Sequence, residues 1–317
     1  MNSKIPVVLI SDDNFIMPTC VAITSLIVNK APETEYDIYI VMAECSDESF
    51  AKIQELNELG TPVNLIRASL DEYRDIKQLA HISIACLLKF DVSELVPNYD
   101  KLLYLDGDII VRGDLSELYN TELGDSYAAG VKELGNITEA TGNVNAGIML
   151  FNAKRIRDEK LNIKMREIRR SLGDRSSMDQ QTYNIATGKN YKYVDIRYNC
   201  VPPRVLAMQE SDVTKINELY GSSYTSLQNV VDKAVIIHYA SGEKPWKYTF
   251  KPWAKEWYKY YMMSPYKNVE FKLRGIWSYR FDKLRKAVKE QGVAGIINTL
   301  SDRKNRKSGK KKIKAWE

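Results

Sequence analysis

Apolar and polar positions run along this chain in blocks clear enough to predict its elements. Ile5–Ile10 (IPVVLI) is an unbroken apolar run that ends in Ser11-Asp12-Asp13-Asn14. Such a run is the pattern of a strand buried on both faces. Val21, Leu26 and Ile27 mark a helix over Pro18–Lys30, and Tyr36–Met42 reads as the second strand. Asp47–Leu59 is amphipathic, with Ser46 placed as its N-cap, and Val63–Ile66 reads as a third strand. A β-α-β-α-β opening requires a parallel sheet. Its first β–α turn carries no G-x-G-x-x-G, so a bound diphosphate needs its charge neutralised by something else. Farther on, Ser83–Leu95 predicts a helix, Tyr127–Val131 and Ile148–Phe151 predict strands, and Ala153–Arg170 predicts one long basic helix. Ser176–Thr187 reads as a capped helix, Val194–Tyr198 as a strand and Pro202-Pro203 as a loop. Ala234–Ile237 is the last clear strand and ends at His238.

One stretch changes this picture from architecture to chemistry. Lys101–Asp114 reads KLLYLDGDIIVRGD, in which Leu102–Leu105 form a buried strand and Ile109–Val111 a second apolar run. Asp106 and Asp108 sit in the break between them, separated by Gly107. Residues i and i+2 of a strand share a face, so two carboxylates can converge on one hard cation. In open α/β sheets, ligands sit beyond the carboxyl ends of strands. Taken alone, a D-x-D in a loop is usually a polar turn; the apolar setting and the rest of the chain are what change that reading here.

The composition narrows the class. With 317 residues and 44% hydrophobic content, the chain has room for one large α/β domain with an appendage, or for two small domains. No apolar run reaches the length of about 18 residues that a bilayer span needs. The first residues carry too short an apolar run for a signal peptide. Cys20, Cys45, Cys86 and Cys200 are scattered without a C-x-x-C, which fits a reducing compartment better than a zinc or disulfide framework. The net charge of +5 hides an asymmetry: residues 264–317 hold 16 Lys and Arg against 5 acidic residues, while the rest hold 30 against 36.

Six ordered motifs, LISDDNF, HISI, LYLDGDIIVRGDL, NAGIMLFN, MDQQTYN and IHYASGEKPW, resemble the retaining glycosyltransferases of family 8 over residues 5–260. That family includes lipopolysaccharide galactosyl- and glucosyltransferases and glycogenin. The resemblance implies an α/β fold of GT-A type, a Rossmann-like nucleotide-sugar-binding domain with a mostly parallel central sheet. Its extent, with the charge asymmetry, sets a catalytic domain at residues 1–263 apart from a basic helical region at 264–317. It also implies a UDP-hexose donor, UDP-galactose or UDP-glucose, and a divalent metal, Mn²⁺ or Mg²⁺.

The resemblance carries over residue by residue. Asp106, Asp108 and His238 would ligate the metal, and an O/O/N set suits Mn²⁺ better than Ca²⁺. A buried histidine bonded at a strand end is the competing role for His238. Asp12 and Asn14 match nucleotide-binding positions, with Asp12 near the uracil and Ile10 supplying backbone contacts; capping the next helix is a competing and compatible role for Asp12 and Asn14. His81, Gly107 and Ser241 fall at donor or acceptor positions, and His81 could equally be structural. Lys89 stands where the family commonly has Arg, keeping the charge but losing the bidentate fork. Lys244 would meet the diphosphate, or else be a solvated loop lysine. Asn145 and Ala146 match donor-sugar contacts, and a loop-to-strand turn is their other reading. Asp179 would bond sugar hydroxyls and Gln180 would lie under the anomeric carbon, with helix capping and dipole compensation a compatible role for this segment.

In the tail, Val269, Leu273, Ile276, Trp277, Phe281, Leu284 and Val288 recur at helical steps, with Lys and Arg on other faces. This is the pattern of a basic amphipathic helix suited to an anionic membrane surface, or of a helix docked on the catalytic domain. No nucleic-acid motif accompanies the charge. The expectation is therefore a metal-dependent retaining hexosyltransferase acting on a cell-envelope glycan or glycolipid. It would be cytoplasmic and peripheral to the inner face of the cell membrane. The alternatives are a transferase for a soluble or protein acceptor (a glycoprotein included), a catalytically weak sugar-nucleotide binder, or a nucleic-acid metalloenzyme with paired aspartates.

Overall fold

The computed structural model describes residues 4–76, 83–133, 142–173, 179–240, 244–248 and 253–270, with 273, 275, 278, 280, 281 and 285. The chain divides into two compact units, Met1–Gly242 with Lys255–Val269, and Glu243–Ala254 with Glu270–Glu317. Strands in the first unit are β1 (Ile5–Ile10), β2 (Tyr36–Met42), β3 (Val63–Arg67), β4 (Lys101–Leu105), β5 (Ile109–Val111), β6 (Ala128–Lys132), β7 (Val144–Asn152), β8 (Tyr191–Tyr193) and β9 (Ile236–His238). Seven of them form one sheet in the order β3-β2-β1-β4-β7-β6-β8, and β5 with β9 forms a small second sheet.

The opening βαβαβ pattern folds as its periodicity dictates: β1 pairs in parallel with β2 and β4, and β2 with β3. Every residue of β1 is buried, the signature of a strand covered on both faces. One covering is the helix Ile16–Val28, apolar nearly all round and buried for most of its length. Ser25 Oγ of that helix accepts the Val111 N–H at 2.9 Å, tying the helix to β5. On the other face Val8, Ile10, Leu102 and Tyr104 pack with Phe90, Phe151 and Tyr183. Phe151 and Tyr183 stack at 5.3 Å between centroids, and Phe90 meets Tyr183 edge-on at 5.5 Å. Such aromatic pairs contribute about 0.5–1.5 kcal/mol beyond their buried area. Ser46 caps the helix Asp47–Glu55 as expected, accepting the Ser49 N–H at 3.2 Å.

Beyond β4 the sheet departs from simple alternation. β7 enters between β4 and β6, antiparallel to both, and β8 returns parallel to β6. Four further expectations need correction. The long basic helix is two, Ala153–Asp158 and Leu161–Leu172, broken at Lys160 with φ of 51°. Ile156 and Leu161 are five residues apart, too far to share a helical face, so the break re-phases the chain and buries both. Ser83–Leu95 is mostly 3₁₀, Ile84–Asp91, before a short α turn over Val92–Leu95. In place of a strand at 194–198, β8 precedes a 3₁₀ turn, Ile196–Tyr198. Asp195 starts that turn by accepting the Arg197 N–H at 2.8 Å. Pro202-Pro203 opens a short helix, Pro202–Val205, where the missing N–H costs nothing.

Candidate metal centre and active site

The site is built where four strand ends meet. β4 stops at Leu105, and the Asp106 N–H then donates to Gly147 O of β7 at 2.7 Å. β5 restarts at Ile109, which pairs with His238 of β9, and the Tyr239 N–H donates to Asp108 O at 2.9 Å. Strand pairing thus brings residue 238 beside residues 106 and 108. His238 Nε2 lies 3.2 Å from Asp108 Oδ1 and 3.9 Å from Asp106 Oδ2. One ligand atom from each of the three residues falls within 4.8 Å of the others.

Two glycines make this approach possible. A Cβ on Gly147 would stand 2.4 Å from His238 Cε1 and 2.8 Å from Asp106 Oδ2, filling the space between the donors. A Cβ on Gly107 would stand 2.3 Å from Thr19 Oγ1. Gly107 therefore serves the close approach of the Ile16–Val28 helix.

The donor set fits a divalent cation. Ligands on one ion at about 2.0–2.2 Å stand at most about 4.4 Å apart, and both measured separations to the imidazole fall inside that span. Two carboxylates with one imidazole form a mixed oxygen-and-nitrogen set, open to a divalent ion that accepts both donor types. Burial, reinforced by the neighbouring Asp108 charge, pushes the Asp106 carboxyl above its ordinary range in spite of Lys89. A gathered negative charge of this kind is what a cation relieves.

Lys89 is 2% exposed and fully committed within the chain. Its ammonium donates to Ala146 O at 2.9 Å and to Asp179 Oδ2, lies 3.4 Å from Asp106 Oδ1, and sits over the Tyr104 ring at 4.4 Å. Burial alone would favour the neutral amine, but Asp106 and Asp179 outweigh it and hold Lys89 charged above its ordinary range. Lys89 is thus a strut joining the 3₁₀ helix to both acidic positions. Asp179 heads the helix Gln180–Ala186 without capping it, because its side chain turns to Lys89. Gln180 is held at both ends: Oε1 accepts the Ala146 N–H at 3.2 Å and Nε2 donates to Glu133 Oε2 at 3.3 Å.

At the end of β1, Ile10 is buried and Asp12 is half-buried, with Asn14 exposed beyond them. The Ile16–Val28 helix has no side-chain cap, so the competing capping role for Asp12 and Asn14 is not taken. Asp12 Oδ1 is buried and has no hydrogen-bond partner among the described residues. Lys244 lies in the second unit, its ammonium 5.9 Å from the Trp246 ring centroid. His81 and Ser241 fall outside the described residues.

Sequence reading missed Glu133, Asn199 and Arg204. Glu133 Oε2 accepts from Asn145 Nδ2 at 3.1 Å as well as from Gln180, and its Oε1 accepts from Arg204 Nη1 at 2.8 Å. Asn199 Oδ1 lies 2.8 Å from His238 Nδ1. Nothing in their spacing flags them, because each acts only through partners distant in the chain.

A Rossmann-like sheet ending in a D-x-D pair that faces a strand histidine is the build of a GT-A type glycosyltransferase. The galactosyltransferase LgtC, solved with donor and acceptor sugar analogs, shares the fold at a TM-score of 0.68 and 23% identity, over 82% of this chain and 96% of LgtC. The chain belongs to glycosyl transferase family 8, whose sequence profile matches residues 6–250. It is 25% identical to lipopolysaccharide 1,2-glucosyltransferase of Escherichia coli K12 over 288 residues, spanning 83% of this chain and 82% of that one. Likewise it is 25% identical to glycosyltransferase GlyE of Streptococcus pneumoniae serotype 4, over 86% of this chain and 68% of GlyE.

Proposed function

We propose that the chain is a divalent-cation-dependent, retaining hexosyltransferase. It moves galactose or glucose from a UDP-sugar to a cell-envelope glycan or glycolipid. The observation that carries this reading is the convergence of Asp106, Asp108 and His238 at the strand ends, with Gly147 clearing the space between them. A cation held there would act as Lewis acid toward the departing diphosphate. Asp12 Oδ1 supports a uracil base, because a buried, acceptor-only oxygen without a partner calls for an N–H such as uracil N3–H.

The other residues take their roles from what holds them. Lys89 fixes Asp179 so that its remaining oxygen capacity faces the sugar hydroxyls. Gln180, its amide tied to Ala146 and Glu133, steadies positive charge developing at the anomeric carbon. An amide oxygen so engaged is a poor nucleophile, which favours attack from the face the leaving group departs. The bond from the anomeric carbon to phosphate oxygen breaks, the bond to the acceptor oxygen forms, and the acceptor proton passes to the departing phosphate.

The acceptor follows from the tail and the relatives. The E. coli relative is by name a lipopolysaccharide glucosyltransferase. Residues 264–317 carry a large excess of basic residues, and Leu273 and Phe281 in that stretch are 37% and 62% exposed. Residues 1–263 then form the catalytic domain and the tail meets the inner, anionic membrane face, at about 1 kcal/mol per basic charge near the surface. The described residues contain no helix long and apolar enough to cross a membrane. Full-length protein should sediment with anionic vesicles, lose them as salt rises, and ignore neutral ones; equal binding to neutral vesicles would remove the electrostatic tail from the reading.

Release of UDP from UDP-galactose and UDP-glucose, with and without Mn²⁺, tests the donor half directly. Cation-dependent release from one of the two supports it. If neither sugar nucleotide binds in Mn²⁺, the donor half is overturned.

A further inference from the structure

Amide side chains look alike at both ends, so their orientation is settled only by partners whose polarity is fixed. Asn145 has two such partners. The backbone Gly147 N–H can only donate, and it lies 3.1 Å from Asn145 Oδ1. The Glu133 carboxylate accepts, 3.1 Å from Asn145 Nδ2. Asn145 therefore presents its oxygen to Asn199, and the Asn199 atom 2.8 Å away must be the donating Nδ2. Asn199 then has only its carbonyl oxygen to offer His238, whose Nδ1 lies 2.8 Å from it. An amide oxygen cannot donate, so Nδ1 carries the ring proton. In the neutral ring this leaves Nε2, 3.2 Å from Asp108 Oδ1, as the atom that offers a lone pair to a cation.

From this chain of fixed polarities we propose that Asn199 is the positioning residue that sets the histidine of the cation site. It holds His238 with its proton on Nδ1, a role that rests on the cation-site reading above. Asn199 is 3% exposed and His238 likewise 3%, so water does not compete for this bond. The backbone is locked at the same place: the His238 N–H donates to Cys200 O at 2.7 Å, one residue past Asn199. The imidazole is thereby held from both its main chain and its far nitrogen before any cation arrives. Outer-shell partners of metal-bound imidazoles act this way in general, orienting the ring and choosing its tautomer. What this fold adds is the origin of the choice: it starts at the Gly147 N–H of β7 and reaches the metal site through two asparagines.

The two histidines of the chain make the experiment direct. Protein labelled with ¹⁵N-histidine, free of metal and at a pH of about 9, shows which nitrogen of His238 is protonated; a His81→Gln variant assigns the signals. Wild type should show a protonated Nδ1. A bare Nδ1 with a protonated Nε2 in wild type would overturn the proposal with no variant needed. In Asn199→Ala a measurable share of the ring should move its proton to Nε2. Mn²⁺ affinity, read from the spin resonance of free Mn²⁺, should fall by about 10–100-fold. Should Asn199→Ala fail to fold, Asn145→Ala removes the acceptor that orients Asn199 and should show the same shift of the proton in smaller measure. An unchanged proton position in the folded variants sinks the proposal. If wild type binds no Mn²⁺ while Nδ1 stays protonated in an Asn199-dependent way, the cation-site reading fails and the hydrogen-bond assignment stands.

Discussion

Asp106 and Asp108 share one short stretch of chain with Asp114, and all three follow the end of a buried strand, yet their surroundings are opposite. Asp114 is supplied by fixed dipoles: the Ala31 N–H donates to its Oδ2 at 2.9 Å and the Ser116 N–H to its Oδ1 at 2.8 Å, with the Tyr36 hydroxyl at 3.5 Å. Asp106 and Asp108 instead face one another's charge and an imidazole edge, with the Lys89 ammonium on one side and a single hydroxyl donor, Tyr104, on Asp106 Oδ1 at 2.8 Å. Partial burial works against charge at Asp114, but hydrogen bonds from Ser116, Ala31 and Thr34 hold its carboxyl below the ordinary range. Burial moves Asp106 the other way. A carboxylate ringed by backbone N–H groups anchors a turn. A pair of carboxylates that raise one another's energy is poised for a cation.

The largest effect that would break this contrast is on turnover. Asp108→Ala should lower cation-dependent UDP release by more than about 100-fold, since even outer-shell partners of metal ligands are worth 10–100-fold. Thermal stability without metal should change little, because the variant also removes a like charge beside Asp106. Mn²⁺ should raise the melting temperature of wild type and leave that of Asp108→Ala unmoved, by mass action on the folded state alone. A metal-free melting temperature that drops sharply in Asp108→Ala would make Asp108 an anchor like Asp114, and the contrast would fail.

Much of this was legible in the sequence because it is local. The unbroken apolar runs of β1 and β4, and the polar break at Asp106-Gly107-Asp108, are set by residues adjacent in the chain. Strand pairing is not local, and so the antiparallel entry of β7 between β4 and β6 had no signature. The roles of Glu133 and Asn199 were hidden for the same reason. Asn199 matters only once β9 places His238 beside it and β7 brings Asn145, 54 positions earlier in the chain, within reach. Lys160 misled because Ala153–Arg170 is rich in good helix formers, while the break follows from burying Ile156 and Leu161 together. Lys89 was expected to meet the donor, and in the structure it meets Asp106 and Asp179. Its complete burial against Asp106 and Asp179 could not be read from one basic residue in an apolar segment.

Lys89 sharpens the contrast at the next scale. Lys89→Met keeps the apolar stem and removes the ammonium that stands between Asp106 and Asp179. Breaking a buried charge group in this way costs about 3–5 kcal/mol, and the lower end is expected because the two carboxylates keep 29% and 19% of their surface open. Urea unfolding should show this loss, and added Mn²⁺ should restore part of it by neutralising Asp106. A loss unaffected by Mn²⁺ would assign the cost to Asp179 alone.

The smallest effect belongs to Asp114. Asp114→Ala removes the acceptor for two backbone N–H groups and should cost about 1–2 kcal/mol in unfolding free energy, with turnover and Mn²⁺ response unchanged. Its pH dependence has a definite sign. The folded-state value is depressed below the ordinary 3.8, so the ionised carboxylate stabilises the fold fully above that value. The stability gap between wild type and variant should therefore stay constant near neutrality and narrow as the pH falls below about 4, through the depressed folded-state value. Because other carboxylates titrate in the same window, the difference between the two proteins is the quantity to follow. A gap that widens on acidification would mean that Asp114 is held like Asp106, by burial against its charge, and the two ends of this stretch would no longer be opposites.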